Sequence, residues 1–438
     1  MLQRFGLSAT RAVSALIVVL ATACTDRSPT ETLDLQSRFG KGTATSGPSV
    51  NSTSPNTSQR GTTLDVHIYG SGFDAGSKAQ WALKGVPSTK VTTNSTRFVS
   101  SRELVANITI AGDADPALYD VIVTAASGKP GIGTESFEVT IEMTDLGNLG
   151  YAASEALAVN DAGQIVGISN KTQSTGSSFL WENGVMTDIG KPAGFSSSRP
   201  EDINNLGQVA GYAMVQVNGA WTSRAFSWTK SGGYQLLPAL NGSTTNGVMA
   251  INDNGTIVGH SGGHAVAWIN GSIVDLGPDA VPYDVNANGD IAGDCAQGAC
   301  RWTASTGWQL VQTMSGTQGE ALGINNDGHV VGWGPVNGST NYSAFVNRGG
   351  IPANLGITGG ENSVGRKISI NGQIAGRGAS GKPVLWYSDG SMVVLSAPRT
   401  NYSGEAVDIN ANGWIVGYVN VAGKRGSEKH AVRWRVFQ

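Results

Sequence analysis

The sequence predicts an all-β protein in which a β-sandwich precedes a seven-bladed β-propeller, and three observations lead there. Glycine supplies 61 of the 438 residues and charged residues only 14%, a composition that interrupts helices and favours turns. Apolar residues come in short runs bounded by Gly, Asn, Ser and Thr. One line, apolar-Asn-x-x-Gly-x-(Ile/Val)-(Val/Ala)-Gly, recurs from Val159 to Gly417. The formal net charge of −3 leaves no basic excess to displace counterions from phosphates, so no nucleic-acid partner is expected.

Residues 1–23 read as an export signal. Arg4 and Arg11 precede an uncharged apolar run, Ala12 to Ala23, too short for a comfortable membrane span and ending in small residues. No other segment is long and apolar enough to cross a bilayer. The stretch Leu20-Ala21-Thr22-Ala23-Cys24 resembles a bacterial lipobox, although Leu20 stands one place early and Ala21 takes the usual Leu position. The resemblance implies that Cys24 is lipidated and begins the mature chain. Thr25 rather than Asp after it implies the outer membrane. The alternative is plain secretion after Ala23, with Cys24 an ordinary thiol. Residues 24–46 lack an apolar period and read as a flexible tether. Cys295 and Cys300 then remain as an even pair in an oxidising compartment, flanking Ala296-Gln297-Gly298-Ala299 between two strand-like runs. A disulfide across a hairpin is expected there. Two thiols alone make no closed zinc site.

From 47 to 142 apolar and polar residues alternate between turns. Leu64, Val66 and Ile68 form one strand face, Val105 and Ile108 mark a second strand, Val121 and Val123 a third, and Phe137 and Val139 a fourth. Gly70-Ser71-Gly72-Phe73 breaks the first run and suggests a bulge or bend. Short strands at this spacing suit a sandwich of about 100 residues. The elements Ser54-Pro55, Val66-His67-Ile68-Tyr69-Gly70-Ser71-Gly72-Phe73, Tyr119-Asp120-Val121-Ile122-Val123-Thr124 and Phe137-Glu138-Val139 resemble the IPT/TIG family of immunoglobulin-like domains. That resemblance implies a spacer or interaction module. Tyr119 is expected to place its ring in the core and its hydroxyl on a loop.

Residues 143–438 carry the repeat. Its closing glycines are Gly167, Gly211, Gly259, Gly293, Gly332, Gly376 and Gly417, and Ser369 replaces Asn in the sixth copy. Asn-x-x-Gly makes a tight turn, because Asn bonds its own backbone and Gly accepts positive φ. The apolar run that follows is a strand buried on both faces. A further strand ends in Trp181, Trp228, Trp268, Trp302, Trp386 or Trp434, and the fifth copy reads Phe345-Val346-Asn347 instead. A last strand follows in most copies, as in Asp188-Ile189-Gly190 or Asp275-Leu276-Gly277. A unit of about 42 residues with about four strands matches a propeller blade. The final copy stops at Gln438 before such a strand, while Asp145-Leu146-Gly147 stands unclaimed at the start. Residues 143–149 are therefore expected to pair into the last blade and remove the exposed edges. The triplets before the Trp, such as His264-Ala265-Val266-Ala267-Trp268 and His430-Ala431-Val432-Arg433-Trp434, resemble the HAF family of extracellular repeats. The resemblance implies a surface or secreted protein and carries no catalytic assignment.

Several motifs suggest chemistry, and each has a structural reading beside it. Gly259-His260-Ser261-Gly262-Gly263 fits the G-x-S-x-G nucleophile elbow but is followed by a Gly-rich loop and a strand, not a helix. His260 and His264 could chelate a metal, yet His264 occupies a recurring repeat position. Asn252-Asp253-Asn254-Gly255 carries too few carboxylates for a calcium loop and reads as a turn. Glu155, Glu320 and Glu405 fall in register five places before the repeat Asn, in blades one, five and seven. There they would start the innermost strands near one mouth of a central channel and could bind a cation, an amine or sugar hydroxyls. Solvation at a strand end is the alternative. The blade tryptophans are expected to pack between blades. Trp333 and Trp414 depart from that position and Trp221 lies in a loop, so these are the candidate exposed aromatics. The sequence thus predicts a monomeric, extracytoplasmic, non-catalytic binding or adhesion protein without cofactor or metal, its propeller facing a glycan or surface protein and its only membrane contact an N-terminal lipid. A secreted hydrolase or lyase acting on polysaccharide, or a structural envelope component, are the rivals.

Overall fold

The computed structural model describes residues 47–172, 175–336, 341–356, 362–397, 402–423 and 426–436. The expected signal, Cys24 and the tether lie outside them. Within these residues the chain is built of strands with two single-turn 3-10 segments.

Residues 49–140 form two sheets. One has the order Ser49–Ser54, Thr63–Ser71, Glu103–Ile110, Val91–Ser100; the other has Thr57–Gln59, Pro130–Thr140, Ala117–Thr124, Lys78–Leu83, Val86–Pro87. Val66 and Ile68 alternate inward with His67 and Tyr69 outward, the period of a strand with one wet face. The core between the sheets holds Trp81 edge-to-face on Phe137 at 6.0 Å, with Leu104, Ile108 and Tyr119. The Tyr119 hydroxyl donates to the Asp115 carbonyl at 3.1 Å. Gly70 does not end its strand. A Cβ there would lie 1.8 Å from the Ser49 carbonyl oxygen, and the bulge falls in the partner strand at Val50/Ser52.

From Glu142 onward there are seven four-stranded antiparallel sheets, here I to VII, an arrangement of β-propeller type. Their first strands are Ala153–Val159, Ser197–Ile203, Asn246–Ile251, Ala280–Val285, Glu320–Ile324, Val364–Ile368 and Tyr402–Ile409. Sheet VII takes its fourth strand, Glu142–Gly147, from the start of the region, paired with Gly426–Arg435.

The repeat Asn does more than turn the chain. In sheet I the Asn160 Oδ1 accepts the Gln164 N–H at 2.9 Å, while Gly163 sits at φ +78°. The Asn160 Nδ2 reaches the next sheet and donates to the Asn204 carbonyl at 3.1 Å. The same bond runs from Asn204 to Asn252, Asn252 to Asn286, Asn286 to Asn325, Asn325 to Ser369, and from Asn410 back to Asn160. Each amide is thus a turn on one side and an inter-sheet clasp on the other. Several tryptophans also join sheets: Trp268, Trp386 and Trp434 donate their indole N–H to the carbonyls of Pro238, Leu355 and Ser396. The repeat His264 and His430 bond Asp275 and Asp145 across the outer strands, at 3.0 and 2.8 Å.

Candidate functional site

The first strand of every sheet carries a register break against the second, at the residue three places before the repeat Asn. Such a β-bulge re-aims one side chain. Here the re-aimed residues are Leu157, Glu201, Met249, Tyr283, Leu322, Arg366 and Val407, and all seven line one axial cavity of about 270 Å³. Apolar residues stand in the odd sheets and polar ones in the even sheets. Glu155, Arg199, Glu405 and Tyr418 complete the rim.

The charged groups of the rim are paired. Arg366 donates its Nε to Glu405 Oε1 at 2.6 Å, and Tyr418 donates its hydroxyl to Glu405 Oε2 at 3.2 Å. Arg199 Nε meets Glu201 Oε1 at 2.6 Å. Lys429 meets Glu155 Oε1 at 3.2 Å and lies 3.9 Å over the Tyr418 ring. Both arginines are thus held through Nε. Among the described residues no protein acceptor bonds their terminal nitrogens, so forked N–H donors are left beside carboxylate oxygens. Burial pushes the Glu201 carboxyl above the usual range, with Glu155 adding to it and Arg199 opposing it. Burial and nearby Glu320 and Asp294 push the Tyr283 phenol up to about 12.

The floor lies one residue further along the same strands. Asp202, Asp284 and Asp408 are buried there with Lys367, which reaches Asp284 Oδ1 at 2.5 Å. Each aspartate bridges two sheets. Asp202 accepts the N–H of Ile203 and of Ile251, Asp284 those of Val285 and Ile324, and Asp408 those of Ile409 and Val159. Burial pushes Asp202 up to about 7 and raises Asp408 as well, while Lys367 opposes both shifts. Beyond the floor a second cavity, of about 220 Å³, opens among the Asn turns.

The three in-register glutamates divide. Glu155 and Glu405 share the axial cavity, whereas Glu320 lies in a neighbouring groove, its Oε2 accepting the Trp333 indole N–H at 3.1 Å. None is an open carboxylate waiting for a cation, because each already holds a donor. Among the described residues no group of three or more His, Cys, Asp or Glu side chains is placed to hold a metal. Trp333 and Trp414 are not neighbours. Trp333 follows a closing glycine and pairs across from Glu320. Trp414 sits at an Asn turn, half-buried, with the guanidinium groups of Arg433 and Arg435 at 4.2 and 4.9 Å from its ring, so it is occupied by cation–π contacts. Trp221 is exposed on a long hairpin of sheet II. Ser261 is buried with its hydroxyl accepting the Leu240 N–H. His260 packs against Gly247 while His264 turns to Asp275, so neither a nucleophile–base pair nor a chelate forms. Cys295 and Cys300 are joined, with Cα atoms 5.9 Å apart.

Sequence reasoning missed the bulge residues and the Asp/Lys floor. Their one trace in the sequence is that the places two and three before the repeat position change from copy to copy while Asn recurs in six of seven, a variation that does not itself mark a bulge.

No family model and no curated protein matches the chain. Among solved structures, the chain is similar to YCF48 bound to D1 peptide, with a TM-score of 0.41 and 14% identity over 67% of this chain and 96% of that one. It is also similar to the polysaccharide lyase Uly1, with a TM-score of 0.29 and 10% identity over 91% of each chain.

Proposed function

We propose that the protein is a secreted, lipid-anchored surface protein whose immunoglobulin-like IPT/TIG domain carries a seven-bladed propeller of HAF-like repeats, and that the propeller binds a glycan without turning it over. The observation that carries the reading is the axial cavity itself. Seven bulges turn seven side chains of six types into one space, where guanidinium donors stand beside carboxylate acceptors. Sugar hydroxyls donate and accept at once, so such mixed pairs suit them, and the apolar bulges offer surface for ring carbons. The experiment passes residues 25–438 over an array of glycans and envelope polymers, scoring retention and product release. Retention without release, lost in Arg366→Ala, is expected. Failure to retain any glycan would sink the reading and turn attention to a surface protein as the ligand.

A second reading, a polysaccharide-cleaving enzyme, is favoured by Glu201 and Glu155 lining one cavity, where burial raises the Glu201 carboxyl and its partner Arg199 opposes that shift, since two carboxyls in one cavity can divide the roles of proton donor and acceptor. Release of shortened product, abolished in Glu201→Gln, would establish it in place of the first.

A further inference from the structure

The groove that holds Glu320 and Trp333 is lined separately from the axial cavity, and it is larger, about 410 Å³. One wall is the hairpin of sheet IV from Asp294 to Gly298, closed by the Cys295–Cys300 disulfide. The other is Gln318, Gly319, Glu320 and Trp333 of sheet V. The walls are fitted closely to their neighbours: a Cβ at Gly298 would stand 2.2 Å from the Thr317 carbonyl oxygen, and one at Gly319 2.1 Å from that of Trp333. The groove adjoins the cavity. Glu320 and Leu322 lie on one strand, Glu320 lining the groove and Leu322 the cavity, roughly 7 Å apart along it. Glu320 also acts electrostatically on Tyr283 and Arg366 of the cavity. Its lining carries two carboxylates, Asp294 and Glu320, and no Lys or Arg.

We propose that this groove is a second sugar subsite continuous with the cavity, so that the ligand is a non-acidic oligosaccharide, one end in the cavity and its following units against Trp333, Asp294 and Glu320. The proposal rests on the glycan reading of the cavity. The indole, packed against the Tyr342 ring at 5.1 Å, lines the groove and offers apolar ring surface there. The carboxylates accept from hydroxyls or an amino group and repel a uronate carboxylate. The disulfide fixes the wall that confines the chain.

The test is calorimetry on residues 25–438 with cello-, laminari- and chito-oligosaccharides of one to six units, and an oligogalacturonate series. Affinity in at least one non-acidic series should rise with length, about tenfold or more from one unit to four. Trp333→Ala, Trp333→Phe and the paired Asp294→Asn, Glu320→Gln variants separate ring stacking from hydrogen bonding. Removing the indole should cancel the gain with length and leave monosaccharide affinity unchanged. Equal affinity for all lengths, a length gain untouched in every variant, or tighter binding of oligogalacturonate would overturn the second subsite while the cavity reading stood, provided Arg366→Ala still abolished binding. Absence of binding in all series would overturn both. Thermal melts show which variants remain folded, and the carboxamide pair keeps the test open should Trp333→Ala not fold.

Discussion

At the Asn end of the channel six of the seven sheets present the same side chain, whereas at the bulge end no two neighbouring sheets do. Both ends are cut from one repeat, a few residues apart on the same strands. The Asn positions are uniform because each performs the same two bonds, one within its turn and one to the next sheet. The bulge residues are free to differ because they bond no neighbouring backbone in the repeat pattern and point into open space. Within a repeat protein, identity across copies marks what assembles it, and divergence at a re-aimed position marks where recognition can be placed. The Asp/Lys floor divides the two ends, with Asp202, Lys367 and Asp408 lining both cavities and Asp284 the one at the Asn end.

Five perturbations test this contrast. The largest effect is expected at the floor. Lys367→Met leaves three buried aspartates without their cation, and the loss should be about 3–5 kcal/mol in urea unfolding. A floor variant with unchanged stability would remove its assembling role. The floor also sets a pH dependence. Burial lifts the folded-state pKa of Asp202 from 3.8 to about 7, so between these values the native state holds a proton that the unfolded state has released. This contribution to stability should fall as pH rises from about 4 to about 7 and level off above. Asp202→Asn should flatten that slope.

Next is the disulfide. Replacing Cys295 and Cys300 with Ser opens a short loop and should cost about 2 kcal/mol, read as a lower Tm together with a weaker preference for long glycans. At the Asn end, Asn286→Ala removes both the turn and the clasp to Asn325. It should cost about 1–2 kcal/mol and leave glycan retention intact. The smallest change in stability belongs at the bulge end. Tyr283→Phe should stay within about 0.5 kcal/mol of the parent while glycan retention weakens. Retention lost in Asn286→Ala and kept in Tyr283→Phe would invert the comparison.

Much of the fold was legible in the sequence, because its signals are local. Asn-x-x-Gly fixes a turn through bonds within five residues, and the run Ile257-Val258-Gly259 is short and apolar because both faces are covered. Part of the site was legible too: Glu155 and Glu405 do reach one cavity. Their pairing was not. Glu405 is held by Arg366 from the preceding sheet, and Glu155 by Lys429, 274 residues away. Nor was the bulge visible, since Leu157, Tyr283 and Arg366 share no property that marks an extra residue. Trp414 was misread as a free aromatic because its covers, Arg433 and Arg435, lie on the adjoining strand of the sheet.

By itself, then, the sequence determined the strands, their turns and their sevenfold count. Each rests on backbone conformation and burial period, which short stretches of chain impose. Only the tertiary structure decided which end of the axis is lined by the repeat amides and which by the bulge side chains, which carboxylates are paired, and which side chains the bulges re-aim. Those depend on where seven separate strands converge, and proximity between residues hundreds of positions apart has no local signature.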